Sequence, residues 1–182
     1  MSNTKWALDP SHSEVQFKIR HLMVTNVTGQ FKSFTATVET EGNDIATAKV
    51  HFTADVNSIS TNNEHRDAHL KNSDFFHAEE HPQIVFDRTS VDKIDEENYA
   101  VHGTLSMRGV AKPVTLNVVL GGIVQDPWGN TRAGFSITGK VNRKDHGVVM
   151  PAEAGGALLG EVVSVMAEVQ FVKEKNLTPA LS

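Results

Sequence analysis

The sequence predicts an all-β domain of about eight antiparallel strands closing into a barrel, with one short helical insert around residues 62–76. Three observations carry this reading. Apolar residues recur at every second position in run after run, the period of a half-buried strand. Turn-forming residues separate these runs at hairpin spacing. Only one stretch, Asn57 to Phe76, departs from both patterns.

The first run is Glu14 to Arg20, where Val15, Phe17 and Ile19 point one way and Glu14, Gln16, Lys18 and Arg20 the other. Phe31 opens the second, but Phe34 follows it by three positions before Ala36 and Val38 resume the alternation, so a bulge is expected near Lys32 or Ser33. The third run puts Ala48, Val50, Phe52, Ala54 and Val56 on one face. It leads into the insert. There Asn62 or Asn63 can cap a helix, because a side-chain oxygen at that position accepts from an unpaired backbone N–H, and Glu64 suits the first turn. Ala68 and Leu70 favour helix. Phe75 and Phe76 put two large rings at its end, and these need an apolar place to go.

Pro82 limits any continuation of the helix, and Gln83 to Val91 reads as a fourth strand with Ile84 and Phe86 inward. Tyr99, Val101, Gly103, Leu105 and Met107 share a face of the fifth, Arg108-Gly109 marks a hairpin, and Val114, Leu116, Val118 and Leu120 share a face of the sixth. After the loops at Gly121-Gly122 and Asp126 to Asn130 comes a seventh strand with Ala133, Phe135, Ile137, Gly139 and Val141 on one face, its glycine expected to leave room there. Val148 to Gly160 suits a long loop, and Val163, Val165, Ala167, Val169 and Phe171 form the last strand. Residues 1–173 are thus one domain and 174–182 a loose tail. Such a strand set makes a barrel or a sandwich. Several Gly and Ala among the large inward residues favour a barrel with an apolar cavity. The outward Lys, Glu, Gln, Thr and Asp are the reverse of an outer-membrane barrel.

A chain of 182 residues, 39% hydrophobic, is long enough for one well-buried core. It has no cysteine, which excludes disulfides, thiolate metal sites and a cysteine nucleophile. The formal net charge of −5 offers no general attraction to phosphate backbones, so nucleic acid is not an expected partner. The N-terminal MSNTKWALDP lacks the apolar core of a signal peptide, and no run reaches the roughly 20 apolar residues of a transmembrane helix. The expected location is cytoplasmic, or periplasmic or extracellular had a leader been removed.

Seven segments, in order, carry a family resemblance: WALDPSHSEVQFKIRHL, VTGQF, SIST, RDAHLKNSDFF, HPQIVF, GTLSMRGVAKPVTL and VNRKDHGV. Together they resemble the YceI-like family of lipocalin-like, polyisoprenoid-binding proteins from Trp6 to about Phe171. The resemblance implies an extended eight-stranded antiparallel lipocalin-like barrel around a long apolar channel. Its ligand would be an isoprenoid lipid, of quinone or polyprenyl phosphate type. It implies no catalytic residue and no cofactor beyond that lipid. One departure is His146, where the family usually has an aromatic after NR-x-D.

The candidate channel lining is Phe17, Ile19, Phe31, Phe34 and Phe52 from the first half of the chain, and Phe75, Phe76, Phe86, Leu105 and Phe135 from the second. Arg20, His21, Asn142 and Arg143 end strands, where polar groups at a barrel mouth could meet a quinone carbonyl or a phosphate. His65 and His69 stand four apart on the expected helix and offer an alternative function, metal binding; His77 and His81 have the same spacing. Arg66 and Asp67 suggest a polar network holding the helix to the barrel, with Asp67 accepting from a cation. No nucleophile and base pair is identifiable and the AEAGGALLG cluster lacks a P-loop lysine, so an enzyme is not expected. Two copies pairing along an open edge would make a homodimer.

Overall fold

The structure is a computed structural model, described here over residues 3–22, 24–73, 75–149 and 159–175. Its strands are β1 (Asn3–Leu8), β2 (Glu14–His21), β3 (Thr25–Phe31), β4 (Phe34–Glu41), β5 (Asp44–Asp55) and β6 (Ile59–Ser60) in the first half. The second half supplies β7 (Gln83–Lys93), β8 (Asn98–Met107), β9 (Val110–Gln125), β10 (Thr131–Asn142) and β11 (Val162–Lys173). Every pairing is antiparallel; the strands follow the order β1-β4-β5-β7-β8-β9-β10-β11-β2-β3-β6, and β1 also pairs β11, which closes the ring. Closure settles the architecture as an eight-stranded barrel rather than a sandwich.

Eleven strands make eight staves because three staves are interrupted. β2 and then β1 pair along one edge of β11, with Phe17 opposite Val165 and Leu8 opposite Phe171. Between them Pro10 starts a single 3₁₀ turn, where its missing N–H costs nothing, and Asp9 caps the turn by accepting from the Ser11 N–H at 3.1 Å. The Asp9 N–H still reaches the Gln170 carbonyl at 2.8 Å, so the ladder is bridged across the break. The first stave therefore begins at Asn3, earlier than the alternation at Glu14 indicates. The expected bulge lies at Lys32–Ser33, between β3 and β4, where the Lys32 N–H turns to the Ser58 carbonyl and the Asp55 N–H to that of Ser33.

The insert carries α1 (Glu64–Lys71), capped by Asn63, whose side chain accepts from the Arg66 N–H at 3.0 Å. It is shorter than residues 62–76. Asn62 sits in the left-handed region before the cap, with φ of 62°, and Asn72 is extended at the other end. The chain then folds back, so that the N–H groups of Phe76 and Ala78 satisfy the carbonyls of Leu70 and Lys71. Phe75 and Phe76 lie on this return rather than on the helix, and Phe75 is buried in one core cluster with Phe31, Val56 and Ile84. A second cluster surrounds Phe86 and Tyr99, and a third Trp6 and Phe171. Trp6 donates its indole N–H to the buried Thr40 hydroxyl at 3.0 Å.

Gly139 does not leave open space. Leu116 and Val165 on the two neighbouring staves have moved over it. Of the expected long loop, residues 150–158 lie outside the described residues, as do 176–182 of the expected tail.

Candidate functional site

Period-two alternation sends one side chain in two into the barrel, and there they enclose a cavity of about 570 Å³. That lies within the range of about 300–1,000 Å³ typical of small-ligand sites. Nine of the ten expected lining residues are on its wall: Phe17 and Ile19 from β2, Phe31 from β3, Phe52 from β5, Phe86 from β7, Leu105 from β8, Phe135 from β10, and Phe75 and Phe76 from the return after α1. Phe34 is not on the wall. As the first residue past the bulge, it packs its ring beside Phe52, with centroids 6.2 Å apart, and supports that residue. A chain of ring contacts runs from the wall to the insert, Phe17 to Phe31 at 5.6 Å and Phe31 to Phe76 at 6.3 Å.

Among the described residues, the polar side chains on the wall are His21, Thr61, His65, Arg66, His69 and Arg143, none of them a carboxylate. Thr61 joins Arg66 on the wall to Asp67, the next residue in sequence. Its N–H and hydroxyl both donate to Asp67, at 2.8 and 2.6 Å, while the hydroxyl and carbonyl accept from Arg66 at 2.7 and 2.8 Å. The anticipated network exists, but Asp67 accepts from Thr61 rather than from a cation. His69 stands edge-on to the Phe75 ring at 5.5 Å. Arg143 is only 3% exposed and donates to the carbonyls of Gly160 and Val148, each at 2.8 Å, and of Leu159 at 3.2 Å. Burial lowers its pKa from the usual guanidinium value, the Glu161 charge opposing that shift.

Of the four residues expected at the mouth, His21 and Arg143 are on the wall and Arg20 and Asn142 are not. Arg20 is exposed and its carbonyl accepts from the Gly160 N–H. Asn142 faces its own chain, capping the next turn by accepting from the Lys144 N–H at 3.0 Å. Thr61 and Arg66 were not expected on the wall. The signal for them is the Asn63 cap, which fixes where α1 starts and so which side chains of its first turn face the barrel. His65 and His69 both reach the cavity but belong to no cluster of three metal-ligating side chains among the described residues. His146 is 1% exposed, off the wall, with Nδ1 2.9 Å from the Val110 carbonyl.

A closed eight-stranded antiparallel barrel around a mainly apolar lumen is the architecture of a lipocalin-like protein. Residues 6–171 match the YceI-like domain, and the chain belongs to that family. A UPF0312 protein of Staphylococcus aureus strain N315 is 37% identical over 171 residues, covering 92% of this chain and 97% of that one. BcnA of Burkholderia cenocepacia superposes with a TM-score of 0.80 at 21% identity, over 90% of this chain and 98% of BcnA. A polyisoprenoid binding domain from Saccharophagus degradans, implicated in plant cell wall breakdown, superposes with a TM-score of 0.66 at 16% identity, over 93% and 98% of the two chains.

Proposed function

We propose that this protein binds a long isoprenoid lipid in its barrel and serves as a non-catalytic carrier or store. The observation that supports this reading is the size and chemistry of the cavity: a lumen of about 570 Å³ walled mainly by Phe, Val, Leu and Ile, whose polar side chains among the described residues are two arginines, three histidines and a threonine. An apolar chain and the wall it covers together gain on the order of 25 cal/mol for each Å² removed from water, so long chains bind better than short ones until the lumen is full. A head group rich in acceptors, a quinone carbonyl or a phosphate, complements Arg66, Arg143 and the histidines. The polyisoprenoid binding of the Saccharophagus domain supports the same ligand class.

Organic extraction and mass spectrometry of natively purified protein tests the proposal. The expected result is one isoprenoid lipid per chain. Protein that never yields an isoprenoid, even when one is supplied during refolding, refutes it.

A further inference from the structure

The turn between the insert and β7 carries a second cluster that the lumen does not use. The donor atoms of His77, Glu80 and His81 all lie within 4.8 Å of one another. His77 Nδ1 and Glu80 Oε2 are 3.7 Å apart. A tetrahedral zinc with bonds of about 2.0–2.2 Å holds neighbouring donors about 3.3–3.5 Å apart, so this pair is nearly at the working separation. Glu80 is exposed and can close the remainder by rotation about its side-chain bonds.

The backbone prepares the arrangement. The N–H groups of Glu80 and His81 both donate to the His77 carbonyl, at 3.2 and 2.8 Å, winding one turn that brings the two imidazoles to the same side. His77 itself is held in the left-handed region, φ 52°, which is unfavourable for a residue with a Cβ, and its N–H is tied to the Asn72 carbonyl at 2.9 Å. The His81 ring lies against Gly109, where a Cβ would come within 2.8 Å of Cε1, so its orientation depends on that glycine.

We propose that His77, Glu80 and His81 form a three-ligand site for a divalent transition cation of the zinc class, with the fourth position open to water. Two imidazoles and one carboxylate suit zinc, nickel or copper, whereas magnesium and calcium favour all-oxygen sets. The site is independent of the lumen and of any lipid in it.

Tag-free, chelator-treated protein titrated calorimetrically with zinc sulfate should bind one ion per chain, and magnesium should give no heat of binding. His77→Ala and His81→Ala should each weaken zinc at least tenfold, and Glu80→Gln, at an exposed position that leaves folding intact, should weaken it severalfold. His65→Ala with His69→Ala should leave it unchanged. Cobalt(II) should give visible absorption of tetrahedral intensity that is lost in His81→Ala. Substoichiometric zinc, or zinc retained by folded His77→Ala/His81→Ala protein, overturns the proposal. Because lipid is read separately by mass spectrometry, either conclusion can fail without the other.

Discussion

Replacing Phe52 with arginine tests the lumen most directly. Phe52 lies on the cavity wall between two cross-strand partners, Ala36 and Phe86, with Phe34 supporting its ring. Removing a well-packed phenylalanine ring costs about 3–5 kcal/mol in the Phe→Ala reference, part of which the aliphatic stem of arginine recovers. The guanidinium then enters a space whose polar wall groups, among the described residues, are themselves guanidinium groups, imidazoles or a hydroxyl, none of them a carboxylate to pair it. An unpaired charge in such a setting costs several kcal/mol more unless it reaches water. Against a typical domain stability of about 5–15 kcal/mol, Phe52→Arg should fold but be clearly weakened. Phe52→Leu, which stays apolar, is the control. A tenfold loss of affinity needs only about 1.4 kcal/mol, so lipid occupancy measured by native mass spectrometry should fall by more than tenfold in Phe52→Arg and by much less in Phe52→Leu. A urea midpoint shows that each variant is folded. Folded Phe52→Arg protein carrying wild-type amounts of lipid would refute the reasoning, since Phe52 would then not face the bound chain.

Three other outcomes are expected. Thr61→Val keeps the shape but strands Arg66 Nε and one Asp67 hydrogen bond, at a cost of about 1–3 kcal/mol, visible as faster amide exchange in α1 and a lower urea midpoint. Gly103→Ala places a Cβ against the Phe86 ring and the Asp87 carbonyl, and should destabilise by about 1–3 kcal/mol in thermal unfolding. Hydrogen bonds from Ser11, His12 and Arg132 hold the Asp9 carboxyl well below the usual carboxylate range; its stabilisation is present above the ordinary Asp value of about 4 and is lost as pH falls below it toward the folded value. Denaturant midpoints between pH 5 and pH 2 should therefore fall less steeply for Asp9→Asn, with Asp126, lowered by its hydrogen bond from Arg132, sustaining part of the slope.

The eight-stave barrel was legible because alternation is a local property: Val15-Phe17-Ile19 or Val163-Val165-Ala167 declares its inward face without knowledge of its partner. The bulge was legible for the same reason, as a break in parity between Phe31 and Phe34. β1 was not, because Asn3 to Leu8 holds only one large buried residue, Trp6, and its strand state depends on pairing with Thr37 to Glu41 and with Phe171 to Lys173. The helix was overextended because propensity says little about where a chain turns back, and the return at Asn72 is fixed by hydrogen bonds to the Leu70 and Lys71 carbonyls. At the polar end the charge types were legible and their directions were not. Neighbouring Asn142 and Arg143 differ completely, one capping a turn and the other buried on the wall, because a 3₁₀ turn begins between them.

The width of the lumen has a structural cause that the count of large inward residues conceals. Eight-stranded barrels have interiors that side chains can just fill, and this one is rich in phenylalanine. Yet the Phe17 ring lies across Gly29, its cross-strand partner, the Phe86 ring covers Gly103 on the adjacent stave, and Leu116 covers Gly139. Each glycine lets a bulky neighbour lie flat against the wall, where a Cβ would force it toward the axis. The volume not used at the axis is the cavity, while the rings lie against the glycine backbone. Aromatics that would close a barrel built over alanine instead pave it here, and glycine position, rather than the amount of hydrophobic side chain, determines the room in the lumen.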